Sequence, residues 1–275
     1  MSVWVGGLRT IINNYDALIL DLWGTVHNGA QPLPGVVEAL QQLKNLNKKV
    51  IMLSNAPRRI DLIESQLKEM NITPDLYFAV HSSGEETYLY LRDEAKLGQK
   101  FYHQGMHPHQ SVYRDLKNYQ RVETIDEADF ILATGVAHIE DKIESVIPIL
   151  NQGLSRKLPL VCANPDREVL HGDQRVICPG AFADYYQARG GRVEIRGKPY
   201  AQVYERCLKL LPGIAPNRIL AAGDSLEHDI EGGNKQGFGT LWVLSGIHAP
   251  PQAEIEAYLA KHKARPIYTS SGLIW

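Results

Sequence analysis

Short apolar runs, many of them β-branched, alternate along most of the chain with segments whose apolar positions recur at helical spacing. Residues 17–20, AlaLeuIleLeu, predict a buried strand, because a strand covered on both faces needs no polar position. Residues 36–48 put Val36, Val37, Leu40, Leu43 and Leu46 on one face and predict a helix just after Gly35. A second such unit follows, with a strand over 50–53 and a helix over 59–70 that aligns Ile60, Ile63 and Leu67. Further strands are predicted at 192–195, 218–222 and 240–244, with helices at 202–211 and 229–236. Repetition of strand and helix means crossover connections and a mainly parallel sheet.

The middle of the chain has a different texture. Residues 98–112 are rich in His, Gln and Gly and show little periodicity. A strand at 130–133, a helix near 141–151 and a strand at 160–163 then make a self-contained βαβ unit. The expected fold class is therefore α/β: a doubly wound, Rossmann-like parallel sheet core from residues 1–82 and 183–275, with a smaller α/β domain inserted over 83–182.

Length supports two packed units, since 275 residues exceed one hydrophobic core of common size. With 44% hydrophobic and 22% charged residues, the composition is that of an ordinary globular protein. A formal charge of −2 argues against nucleic acid or an anionic membrane surface as partner. No apolar run approaches the roughly 20 residues that span a bilayer, and the first residues lack the pattern of a signal peptide. Cys162, Cys178 and Cys207 are odd in number and widely spaced, which predicts reduced, buried thiols and a cytoplasmic location.

Candidate chemistry sits at strand ends. Asp21 follows AlaLeuIleLeu, Ser54 follows ValIleMetLeu, Lys198 follows ValGluIleArgGly, and Asp224 follows IleLeuAlaAlaGly. Four groups of complementary type at one edge of a sheet form a candidate site for phosphoryl transfer. An aspartate can attack phosphorus as a nucleophile. Asp21 and Asp224 supply the one or two carboxylates that hold magnesium. Ser54, with the backbone N–H groups after it, suits phosphate oxygens, and Lys198 can balance the charge.

These residues resemble the motifs of the haloacid-dehalogenase superfamily of aspartate-nucleophile phosphatases, in its NagD-like branch with a large α/β cap. Asp21-Leu22-Trp23-Gly24-Thr25, with Gly29 and Pro34-Gly35, is similar to the first motif. Ser54-Asn55, Gly197-Lys198-Pro199, and Gly223-Asp224 through Asp229-Ile230, Gly233 and Gly237 resemble the other three, and Asn164-Pro165-Asp166 resembles a cap segment. The resemblance implies Asp21 as nucleophile and Lys198 as its catalytic partner. It implies phosphate binding by Ser54, Asn55 and Lys198, and Mg2+ held by Asp21, Asp224 and the backbone carbonyl of Trp23, with Asp229 supporting the metal site. Asn164 and Asp166 are candidates for touching substrate. The implied substrate is a small phosphorylated metabolite, such as a sugar phosphate, nucleotide or pyridoxal phosphate; a homodimer through the cap follows by analogy alone.

One position departs from the pattern. Trp23 stands where that family carries a second aspartate, the acid that protonates the leaving oxygen and then activates water. An indole has one N–H donor and no acid for that work. His27 and His228 lie near the first and fourth motifs and are candidate replacements. Two other readings therefore stand beside a phosphatase: a slow or inactive phosphometabolite-binding protein, and a phosphotransferase. Among weaker features, His103, His107 and His109 read as a solvated loop rather than a zinc site. Phe182, Tyr185 and Tyr186 read as core packing of a helix, and Pro199 as the first turn of another.

Overall fold

The computed structural model describes residues 2–171, 174–246 and 250–275, which divide into two compact units. In chain order the first unit contains β1 (Val3–Trp4), β2 (Ala17–Leu20), α1 (Val36–Asn45), β3 (Lys49–Ser54), α2 (Ile60–Glu69) and β4 (Ala79–Ser82). The second contains α3 (Ser83–Asp93), β5 (Lys100–Gln104), β6 (Gln120–Val122), β7 (Phe130–Ala133), α4 (Ile143–Ser155), β8 (Leu160–Cys162), β9 (Glu168–His171), β10 (Gln174–Ile177), α5 (Pro179–Gln187) and β11 (Val193–Ile195). The chain then returns to the first unit with α6 (Ala201–Lys209), β12 (Ile219–Gly223), α7 (Glu231–Lys235), β13 (Gly239–Val243), α8 (Ile255–Lys261) and β14 (Tyr268–Ser270).

The first unit is built on a seven-stranded sheet in the order β1-β14-β13-β12-β2-β3-β4. From β2 the chain winds through β3 to β4 on one side, and β12, β13 and β14 fill the other, so the order reverses between β2 and β12. Ala17, Leu18, Ile19 and Leu20 are all buried, as a strand covered on both faces requires. On one face Ala17, Ile19, Ile51, Leu53 and Ala221 pack with Val203, Tyr204 and Cys207 of α6.

The second unit has a parallel five-stranded sheet, β11-β8-β7-β5-β6, and a separate antiparallel pair, β9 and β10. Side chains alternate along β7 as pleating demands. Ile131 and Ala133 join the cluster that holds Val146, Leu150, Phe182 and Tyr186, while Phe130 and Leu132 join Tyr88, Leu91 and Phe101. Phe182 and Tyr186 are core residues, and the Tyr186 hydroxyl donates to Leu158 O at 2.8 Å.

Two features differ from the sequence expectation. The strand expected in the core at 192–195 is β11, which pairs in parallel with β8, Val193 opposite Leu160. The second unit accordingly takes in 55–60 and 82–197, rather than ending at 182. Helix α5 and strand β11 carry the same apolar pattern as a core βα unit, so composition does not distinguish their sheet. The other difference lies at 98–112, where residues Lys100–Gln104 form a strand and His107–Val112 a 3-10 turn.

Candidate active site

Asp21, Ser54 and Asp224 follow or close three neighbouring strands of the first unit. Leu20 stands opposite Met52 of β3 and Ala222 of β12, so the three polar residues emerge together at the carboxyl edge. This is also where the strand order reverses, the place at which open α/β sheets leave a crevice. Gly24 permits the crowding: its φ is +82°, and a Cβ there would lie 2.6 Å from Asp224 Oδ2.

Lys198 does not end a core strand, as expected, but is the first residue of the chain's return from β11. Its ammonium donates to Asp21 Oδ1 at 2.6 Å, Asp229 Oδ1 at 2.7 Å and Leu53 O at 3.0 Å. Those three bonds match the three protons that an ammonium carries. Burial alone would favour the neutral amine, but Asp21 and Asp229 hold the Lys198 pKa above its ordinary value. Burial pushes the Asp21 carboxyl up to about 7; Lys198 opposes the rise and Asp229 adds to it.

The donor set fits a divalent cation. Asp21, Asp224 and Asp229 each offer an oxygen within 4.8 Å of the others, and these are the metal-type cluster among the described residues. Asp21 Oδ2 is buried with no hydrogen-bond partner, the state of an oxygen shaped for an ion. Asp229 is differently placed: Oδ1 takes Lys198 and Oδ2 accepts from Ser225 N at 3.1 Å, so it orients its neighbours. Three carboxylates against one ammonium leave negative charge for a dication to balance.

The profile described as haloacid dehalogenase-like hydrolase matches residues 18–118, and a second, described as HAD-hydrolase-like, matches 195–269. Between them they cover all four motif segments. The chain belongs to the haloacid dehalogenase-like hydrolases. A hydrolase of that family from Brucella suis has the same fold, with a TM-score of 0.88 and 28% identity over 98% of this chain and 100% of that one. D-glycerol 3-phosphate phosphatase of Mycobacterium tuberculosis is 26% identical over 274 residues, 97% of this chain and 72% of that protein. A p-nitrophenyl phosphatase from Archaeoglobus fulgidus superposes with a TM-score of 0.76 at 22% identity, over 94% and 97% of the two chains. This haloacid dehalogenase-like hydrolase has the NagD-like arrangement, an α/β unit inserted after the second motif.

Trp23 has its own setting in the hydrolase. The half-buried indole lies on Gly29, where a Cβ would fall 2.3 Å from Cη2, and meets His27 edge-on with centroids 5.9 Å apart. His27 Nδ1 accepts from Gly29 N at 3.0 Å, and Gln66 Nε2 donates to Gly29 O at 3.2 Å. Trp23 is thus part of a tied turn. His228 Nδ1 is 3.1 Å from the Lys198 carbonyl, which can only accept, so Nδ1 carries the proton. Both histidines considered as replacement acids use one ring nitrogen to hold a loop.

Asn55, Asn164 and Asp166 come together in the second unit. Asn55 Nδ2 donates to Asp166 Oδ1 at 2.7 Å, and Asn164 Oδ1 accepts from Asp166 N at 2.9 Å. The Asn55 amide is therefore engaged by a protein carboxylate, whereas a phosphate was the expected partner. Of the three histidines expected in a solvated loop, His107 is exposed, but the other two are not solvated: His103 Nε2 pairs with Thr134 Oγ1 at 2.8 Å, and burial pushes His103 down to about 3 and His109 to about 4. All three cysteines are free and buried, and burial pushes the Cys162 thiol up to about 12.

Sequence reasoning passed over the residues after β13. Ser245 Oγ donates to Gly24 O at 2.7 Å, Trp242 Nε1 donates to Asp224 O at 2.8 Å, and a Cβ on Gly246 would fall 1.7 Å from Asp224 Oδ2. The available signal was Ser245-Gly246 just beyond an apolar strand, at the same sheet edge as Asp21.

Proposed function

We propose that the chain is a magnesium-dependent phosphatase that hydrolyses a small phosphorylated metabolite through an aspartyl-phosphate on Asp21. The observation that carries this reading is the state of Asp21: buried, one oxygen fixed by Lys198, the other unpartnered among three carboxylates. The names of the relatives, glycerol phosphate and p-nitrophenyl phosphatases, support the substrate class. Three buried reduced thiols support a cytoplasmic location. Among the described residues no helix is long and apolar enough to cross a membrane.

The reaction follows from the side chains. An Asp21 carboxylate oxygen attacks phosphorus; the ester P–O bond breaks, and the leaving alkoxide takes a proton from water. Water then attacks the phosphorus of the aspartyl-phosphate, breaking its P–O bond to Asp21 and releasing inorganic phosphate. Lys198 favours the charged form of Asp21 against its burial and offsets charge on the phosphoryl oxygens. The Ser54 hydroxyl, at the end of β3, holds one of those oxygens. Magnesium held by Asp21, Asp224 and the carbonyl of Trp23 would screen the phosphate from the carboxylate it must approach.

A second reading has its own observation. With Trp23 packed on Gly29 instead of a carboxylate at that position, a slow or non-hydrolytic phosphometabolite binder stands as the alternative. Magnesium-dependent phosphate release from a panel of small phosphomonoesters separates the two. Asp21→Asn is expected to abolish release, by about 10³-fold or more, as for loss of a covalent nucleophile. Saturable, magnesium-dependent binding without release would select the binder.

Magnesium should also stabilise the fold in a pH-dependent way. The folded pKa of Asp21 lies above its unfolded value, so the metal-free protein pays no penalty near pH 4 and loses stability as pH rises to about 7. A dication that keeps Asp21 ionised removes that loss. At a hundredfold excess over its dissociation constant, magnesium is worth about 2.7 kcal/mol, a Tm rise of roughly 5 °C at pH 8. At pH 5.5, where protons compete for Asp21, the rise should be clearly smaller; equal shifts at both pH values would sink this account.

A further inference from the structure

The segment that follows Ser54 is tied down by side chains far away in sequence. Asn55 is buried, and both ends of its amide are bonded: Nδ2 donates to Asp166 Oδ1 at 2.7 Å, and Oδ1 accepts from Ser83 Oγ at 3.2 Å. The next residue is held by its backbone, since Ala56 O accepts from Arg58 N at 2.8 Å and Gly84 N at 3.1 Å. Asp166 is itself set rigidly. Asn164 Oδ1 caps its N–H at 2.9 Å, and its carbonyl accepts from Gly180 N at 2.9 Å. Gly180 is needed there, because a Cβ would fall 2.1 Å from Pro165 O.

The Asn164-Pro165-Asp166 turn thus has an internal use for both polar side chains. We propose that Asp166 is a positioning residue for the phosphate-binding segment: by fixing Asn55 it sets the direction of the backbone N–H groups that follow Ser54. This inference rests on the phosphatase reading above. The physical reason is that a loop N–H is useful to an anion only when it is already aimed, and an aspartate-anchored amide aims it without ordering on binding. A carboxylate is a strong acceptor for that amide, and a charge-assisted bond is shorter and stronger than a neutral one.

The test uses the whole chain with magnesium, and reads inorganic phosphate affinity by calorimetry alongside kcat and KM for p-nitrophenyl phosphate. Asp166→Ala is expected to weaken phosphate binding and raise KM by about tenfold, the scale of losing one charge-assisted hydrogen bond. Asp166→Asn, whose side-chain oxygen still accepts from Asn55, should stay within about threefold. Asn55→Ala should match Asp166→Ala, and the double variant should be no worse than either, the signature of residues acting as one unit. Additive losses, or Asp166→Ala with unchanged phosphate affinity, would overturn the inference. So would Asp166→Asn failing as badly as Asp166→Ala, which would mark the charge itself as a substrate contact. If the alanine variant does not fold, the asparagine variant and Asn55→Ala still decide the matter. A wild-type protein that neither binds phosphate nor hydrolyses an ester overturns the phosphatase reading first, and this inference with it.

Discussion

Lys198→Met is expected to cost at least about 10²–10³-fold in kcat on p-nitrophenyl phosphate, the scale of losing one preorganised charge-stabilising group. It should also cost roughly 3–5 kcal/mol of stability. The lysine side chain is only 4% exposed and lies within 2.7 Å of both Asp21 and Asp229. Without it two buried carboxylates face each other with no cation between them. The Asp21 carboxyl, already up to about 7, would climb further and spend neutral pH protonated, a poor nucleophile. The two losses have different remedies. Adding Asp229→Asn to Lys198→Met removes the like-charge pair and should return much of the stability in urea unfolding, while activity stays low. A double variant that regains activity would mean Lys198 serves packing alone. Lys198→Arg keeps the charge but replaces a compact ammonium with a planar fork, and it should not rescue turnover.

Three of the four strand-end residues were legible because physics writes them plainly. A buried parallel strand tolerates no polar side chain until it leaves the sheet, so a lone Asp or Ser after an apolar run marks a carboxyl edge. Asp21, Ser54 and Asp224 sit there. Lys198 was found for a partly wrong reason: the apolar run before it is β11, which pairs with β8 of the second sheet. Both sheets are parallel and covered on both faces, so their strands and helices share one pattern, and the boundary at 197 left no trace in composition. Strand β1 escaped notice because it is only 2 residues long, too short for periodicity. The bond between Asn55 and Asp166 spans 111 positions, and nothing local to either residue announces the other. The same holds for Gly246, whose lack of a side chain matters only because Asp224 passes beside it.

Trp23→Asp is expected to raise the hydrolysis of alkyl phosphates by about 10²–10⁴-fold, the usual worth of a positioned general acid and base. Two steps of the reaction respond differently to the new carboxylate. Through kcat/KM the assay reports events up to the first irreversible step, attack by Asp21 with departure of the alkoxide. p-Nitrophenolate leaves without help, so its kcat/KM should change little, whereas an alkoxide that needs a proton should gain the full factor. In kcat, activation of water against the aspartyl-phosphate adds a gain common to both esters wherever that step limits turnover. Wild-type protein mixed rapidly with p-nitrophenyl phosphate should then show a burst of p-nitrophenolate near one equivalent, and the variant should not. The substitution also removes an indole that lies on Gly29 and meets His27, so a lower Tm is expected together with the higher rate. Faster turnover from a less stable protein is a result that improved folding cannot produce. No gain on alkyl phosphates, with magnesium still bound, would mean that another group already supplies the proton, and His27 and His228 would be the residues to replace next.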